Sequence, residues 1–166
     1  LAYALTQRRV AALLGAAAFA LGGYAASYPI SQLAVLETIT WLPLLLLLLR
    51  RGVAGANPKW LLGAGLTWAL AACAGHPQTL LHITYLAAAY DLFLAIRARR
   101  RWTQIVGWGA FTAFVALGAA APAWLPALRY MVHTTRSGVG YDFVAQGLPL
   151  LDFTHLLVPG VWGTLA

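Results

Sequence analysis

Four polar side chains capable of chemistry interrupt two apolar runs of the sequence. Glu37 lies in one apolar run, and His76, Gln78 and His82 lie in the stretch GHPQTLLHIT at residues 75–84. Gln78 and His82 are four residues apart and therefore share one face of a helix. Ionisable side chains are costly within an apolar span, so they tend to line a pocket. Two imidazoles and a carboxylate are also metal ligands, although no spacing such as HExxH supports a metal site.

A second group of candidates follows near the end of the chain. A short helix predicted over about 126–135 would place Arg129, His133 and Arg136 on one face at i, i+4 and i+7. This pattern predicts an interfacial amphipathic helix with a basic face. Its arginines suit a clamp on a lipid-linked phosphate, and snorkelling toward ordinary lipid headgroups is an equally open interpretation. The apolar segment 148–160 is too short to span a membrane and predicts a second interfacial piece.

The amino-acid composition indicates whether water or lipid surrounds these residues. Of 166 residues, 61% are hydrophobic and only 9% are charged. Four acidic side chains cannot coat a water-facing surface, so we expect the lipid bilayer to surround most of the chain. The formal net charge of +7 does not indicate nucleic acid, because the basic residues form short clusters between apolar runs.

The apolar runs predict an all-α, polytopic transmembrane helix bundle followed by extracytoplasmic interfacial helices. We expect a five-span region at 1–121 and an interfacial loop region at 122–166, within a fragment of a longer protein. The run from Trp60 to Ile96 is too long for one crossing and must fold back, with Gly75 ending one helix and Pro77 starting the next. A small-residue stripe on the fifth span favours close helix packing. The five spans are expected at about 9–27, 33–49, 60–75, 78–96 and 102–121.

Basic residues indicate the orientation of these spans. If the chain alternates, nine of the eleven basic residues, in the clusters at 8–9, 50–59 and 97–101, fall on one side, and that side is cytoplasmic. The GHPQ turn and the region after about Ala121 are then extracytoplasmic. Glu37 and the group His76, Gln78 and His82 would line an outward-facing pocket. In the simpler interpretation, the turn residues are only wetted by water and Glu37 lies at headgroup level. Asp91 is close in sequence to Arg97, and this proximity predicts an ion pair between the two in the inner leaflet.

With these residues in hand, the chain resembles the YfhO family of bacterial multi-pass membrane proteins, which are similar to GT-C-type glycosyltransferases. The resemblance covers most of the chain. Its most specific motif is the turn Ala74-Gly75-His76-Pro77-Gln78 that follows Trp41-Leu42-Pro43-Leu44. The Arg136 region and the late Leu156-Leu157-Val158-Pro159-Gly160 motif are further anchors.

The resemblance implies a site at the extracytoplasmic face of the bacterial cytoplasmic membrane, a polyprenyl-phosphate sugar as donor and a cell-envelope acceptor. Glu37 would deprotonate the acceptor hydroxyl or hold a cation, and a divalent metal is compatible with this chemistry. His76, Gln78 and His82 would contact sugar or phosphate, while Arg129 and Arg136 would offset charge on the leaving phosphate. The acidic residue of GT-C enzymes usually lies in the first outer loop, before this chain begins, so Glu37 is a candidate on its depth alone.

Two other classes of protein stay open on the sequence. A transporter fragment would also place polar residues in kinked helices, and it would concentrate them near the membrane midplane. A non-catalytic membrane scaffold is the other, and loss of the outer acidic loop in the full protein would favour it.

Overall fold

A computed structural model describes residues 1–22 and 32–134, and every described element is an α-helix. The chain divides into two compact units, Leu1–Ala127 and Leu128–Ala166. The boundary predicted at 121/122 remains a prediction. Eight helices occur within the described residues: α1 (Ala2–Thr6), α2 (Arg9–Leu21), α3 (Leu33–Thr40), α4 (Leu42–Gly55), α5 (Pro58–Cys73), α6 (Pro77–Arg97), α7 (Trp102–Ala119) and α8 (Ala121–Met131).

Three of the described helical segments are long and apolar enough to cross a membrane. They are Leu33–Gly55, which joins α3 and α4, Pro77–Arg97 and Trp102–Ala119. The other two expected spans are shorter: α5 has 16 residues, and α2 has 13, with the rest of its expected range outside the described residues. The expected number of about five spans is therefore not confirmed.

Local sequence explains where these helices break. Pro43 lies in the first turn of α4, and the helix is interrupted at Trp41, which ends α3. A proline is tolerated there because the first N–H groups of a helix have no helical acceptor. The Leu33–Gly55 segment therefore contains a short break at Trp41.

The GHP turn between α5 and α6 is confirmed. Gly75 adopts a φ of +84°, a left-handed conformation that glycine reaches without steric cost. Pro77 is the first residue of α6, where its missing N–H removes no hydrogen bond. His76 is the N-cap, with Nδ1 accepting the backbone N–H of Thr79 at 3.2 Å.

Helix α5 is the centre of the bundle, packing against α4 on one side and α7 on the other. Helices α5 and α7 approach closely at Gly65, where an added Cβ would lie 2.8 Å from Cβ of Val115 on α7. Helix α6 packs mainly against α4 and much less against α7. The buried core includes Leu45 and Leu49 of α4, Leu61 of α5 and Ile83 of α6.

Helix α8 differs from its prediction. It begins at Ala121 rather than near Pro126 and ends at Met131, so Pro126 lies inside it. Pro122, in its first turn, suits an early helix start. The indole N–H of Trp124 donates to the carbonyl oxygen of Leu117 at 2.9 Å, which fixes the start of α8 to the last turn of α7.

Candidate functional site

The short turns of the bundle sort the polar residues between two ends. The "GHP end" contains the turn at 74–76, together with the start of α3 and of α6. The "basic end" contains the turns at 56–57 and 98–101. Seven of the eleven Lys and Arg residues lie at or near the basic end: Arg50, Arg51, Lys59, Arg97, Arg99, Arg100 and Arg101.

At the basic end, arginines contact aromatic rings and helix carbonyls. Nη2 of Arg100 donates to the carbonyl oxygens of Val53 and Ala54, at 3.2 and 3.1 Å. Its guanidinium lies 5.4 Å from the ring centre of Trp108, and that of Arg51 lies 4.8 Å from the ring of Trp60. Arg100 therefore caps the last turn of α4 and connects it to α7, since the last carbonyls of a helix need external donors.

The GHP end carries the residues singled out from the sequence. Gln78 and His82 are both exposed on α6, and Glu37 is exposed on α3, which packs against α6. Within the described part of the chain, none of these three side chains makes a hydrogen bond or ion pair. The structure places them at the same end of two neighbouring helices and does not bring them into one pocket.

His76 has a structural role at this end. Besides the backbone N–H of Thr79, the hydroxyl oxygen of Thr79 lies 2.7 Å from Nδ1 of His76. These contacts leave Nε2 as the ring nitrogen able to meet a ligand. The half-buried ring therefore first serves to start α6, as an N-cap does.

Two residues of the second predicted group lie within the described part of the chain. Arg129 is exposed in the last turn of α8, and His133 is exposed just beyond it. Arg136 and the segment 148–160 lie outside the described residues. The structure therefore does not test whether Arg129 and Arg136 share a face.

A cavity lies elsewhere, inside the bundle. A partly open cavity of about 460 Å³ is bounded by α4, α5, α6 and α7, and its walls are almost wholly apolar. It exists because α7 is seated on α5 at Gly65 while α6 diverges from α7. The predicted small-residue stripe of α7 contributes Gly109, Ala113 and Ala116 to the cavity wall, with Gly65 of α5 providing the close packing.

Three polar residues line this cavity: Thr84 and Asp91 of α6 and Thr112 of α7. The Thr84 hydroxyl accepts the indole N–H of Trp68 at 2.7 Å and donates to the carbonyl oxygen of Leu80 at 2.8 Å. Oδ1 of Asp91 is buried and has no hydrogen-bond partner among the described residues.

The predicted ion pair between Asp91 and Arg97 is absent from the described structure. Arg97 is exposed, whereas Asp91 faces the cavity. The sequence held a signal for this: Asp91 follows Thr84 by seven residues, which puts both on one helix face. Because arginines are close to Asp91 in the sequence, an ion pair was predicted instead, and that prediction is wrong.

No group of three or more His, Cys, Asp or Glu side chains in residues 1–22 and 32–134 is arranged to hold a metal ion. No family model, curated protein or solved structure matches the chain. The resemblance to the YfhO family therefore rests on the motifs quoted above.

Proposed function

We propose that this chain is part of a multi-pass protein of the bacterial cytoplasmic membrane, of the YfhO type, with about five spans. Its activity would be the transfer of a sugar from a polyprenyl-phosphate donor to a cell-envelope acceptor at the extracytoplasmic face. The supporting motifs are the GHPQ turn and the WLP break, both of which coincide with helix ends in the structure.

The observation that carries this proposal is the separation of charge between the two ends of the bundle. Seven basic side chains at one end favour its retention on the cytoplasmic side. The GHP end would then face outward, with Glu37, Gln78 and His82 exposed near the headgroups. A donor with a lipid tail in the bilayer presents its phosphate and sugar at that level.

The residues would divide the work by their chemistry. Glu37 would deprotonate the acceptor hydroxyl or hold a cation. Gln78, His82 and Nε2 of His76 would hydrogen-bond sugar hydroxyls or phosphate oxygens. Arg129 and Arg136 would offset the charge that develops on the leaving lipid phosphate.

The test is a transfer assay in liposomes with radiolabelled polyprenyl-phosphate monosaccharides and extracted envelope polymer as acceptor. The variants Gln78→Leu and His82→Leu should each lower transfer about 10-fold or more, which corresponds to roughly 1.4 kcal/mol of transition-state stabilisation. Thr103→Val, an exposed change at the basic end, is the matched control and should retain activity. Unchanged transfer by both leucine variants would contradict the proposal.

Transport is a second candidate, favoured by Asp91. Asp91 lies fourteen residues after Pro77, about 21 Å along a helix of roughly 31 Å, so it is well inside the span. A cavity with a carboxylate at that depth is what a transporter requires. The test is uptake or counterflow in sealed vesicles. Transport that is abolished by Asp91→Asn, together with no sugar transfer by the unsubstituted chain, would favour this candidate.

A further inference from the structure

The cavity between α4, α5, α6 and α7 differs from the proposed sugar site in both place and chemistry. None of Glu37, His76, Gln78 or His82 lines it. Its volume of about 460 Å³ falls within the roughly 300–1,000 Å³ usual for small-molecule pockets. It therefore needs its own explanation.

The walls of the cavity favour a ligand that is mostly apolar. Leu45 and Leu49 of α4, Leu92 of α6 and Leu117 of α7 present aliphatic side chains to it. The hydroxyl of Thr84 is already bonded as both donor and acceptor, so it offers little to a polar ligand. A hydrocarbon chain fits such walls better than a sugar does, because every hydroxyl of a sugar would lose its hydrogen bonds to water.

Asp91 adds a requirement for positive charge. Among residues 1–22 and 32–134, its buried Oδ1 atom has no hydrogen-bond partner and no arginine lines the cavity. A carboxylate in an apolar environment is costly unless a cation or hydrogen-bond donor accompanies it. A protonated amine supplies both, whereas a phosphate would be repelled.

We infer that this cavity binds a single-chain amphiphile with a protonated amine, the chain lying between α6 and α7 and the ammonium group donating to Asp91. The ligand class follows from charge complementarity and from the apolar walls. This site is independent of sugar transfer, since its polar group has the wrong sign for a phosphate donor.

Trp68 allows binding to be read at the site itself, because its ring forms part of the cavity wall. The full chain in phosphatidylcholine vesicles would be titrated with bromine-labelled dodecylamine and, separately, with bromine-labelled dodecanol. Bromine quenches tryptophan fluorescence on contact. The signal of Trp68 is obtained by subtracting the same titration of Trp68→Phe, which removes the contribution of the other six tryptophans.

The amine should quench Trp68 at a concentration at least 10-fold lower than the alcohol. Asp91→Asn should abolish that preference while retaining alcohol binding, which shows that the variant is folded, and Asp91→Glu should restore part of it. Ala113→Leu should fill the cavity and weaken both ligands. Equal quenching by amine and alcohol in the original chain, an amine preference that survives in Asp91→Asn, or quenching unaffected by Ala113→Leu would overturn the inference.

Discussion

The indole nitrogen of Trp68 on α5 lies 2.7 Å from the hydroxyl oxygen of Thr84 on α6, at the wall of the internal cavity. Few other contacts join these two consecutive helices, because α5 packs chiefly against α4 and α7. The hydrogen bond therefore holds α6 at the edge of the bundle. In an apolar environment a donor such as the indole N–H rarely remains unpaired.

Replacement of Thr84 by valine should weaken this connection at nearly constant volume. Removing the acceptor leaves the Trp68 N–H unpaired, and we expect a loss of about 1 kcal/mol in the free energy of unfolding. A double-mutant cycle with Trp68→Phe should give a coupling of about 0.6 kcal/mol, and no more than about 1.7 kcal/mol. Denaturation in detergent micelles followed by circular dichroism provides the measurement. Thr40→Val, at an exposed hydroxyl bonded only within α3, is the control.

Gly65→Ala should separate α5 from α7. The new Cβ would lie 2.8 Å from Cβ of Val115 and 2.9 Å from the carbonyl oxygen of Thr112, and the latter, being backbone, cannot rotate away. Overpacking of this kind costs about 1–3 kcal/mol in unfolding free energy. Gly107→Ala, at a glycine of α7 with open space around it, is the matched control. It should be neutral or stabilising by up to about 1 kcal/mol, and an equal loss in both variants would contradict the close approach.

Two variants of His76 distinguish its role as an N-cap from any role in ligand binding. His76→Ala should lower stability by about 0.5–2 kcal/mol, because the N–H of Thr79 loses its acceptor. His76→Asn should restore stability, since asparagine is a good N-cap. If Nε2 also contacts the substrate, the asparagine variant will be stable yet impaired in sugar transfer. Full recovery of both stability and transfer would leave the residue a cap alone.

Arg100→Ala should destabilise the basic end. The change removes the donors to the carbonyl oxygens of Val53 and Ala54 and the contact with the ring of Trp108. Hydrogen bonds from charged groups contribute about 1.5–3 kcal/mol, so a loss in that range is expected by chemical denaturation. Arg97→Ala removes an equal charge from an exposed position and should change stability by less than about 0.5 kcal/mol. Similar effects of the two variants would show that net charge, not the cap, is responsible.

The helix ends were predictable from sequence because they depend on local chemistry. Gly75 and Pro77 act through their own backbone, so the GHP turn follows from the residue types alone. The start of α8 was wrong by five residues because Pro126 was taken as a helix start, although proline can also lie inside a helix when neighbouring groups compensate. Three of the five expected spans are long and apolar enough to cross a membrane within the described residues, and the other two remain predictions because apolar composition does not fix where a helix ends.

The candidate site was less predictable, because it depends on which helices meet. Sequence spacing put Gln78 and His82 on one face, and both are indeed exposed, but it could not show whether Glu37 faces them. The predicted ion pair of Asp91 with Arg97 was wrong for the same reason. Its proximity to Arg97 is along the chain, while the cavity arises from the packing of α7 on α5 at Gly65.

The proposed function requires α6 to cross the membrane with the GHP end outside and the basic end in the cytoplasm. The chain has a single cysteine, Cys73, so single-cysteine variants can be made in a Cys73→Ser background. Gln78→Cys and Ala98→Cys place a thiol at exposed positions near opposite ends of α6. A membrane-impermeant maleimide should label Gln78→Cys in intact cells and Ala98→Cys only after the membrane is opened. Labelling in the reverse order, or of both positions from the same side, would contradict the orientation on which the proposed function rests.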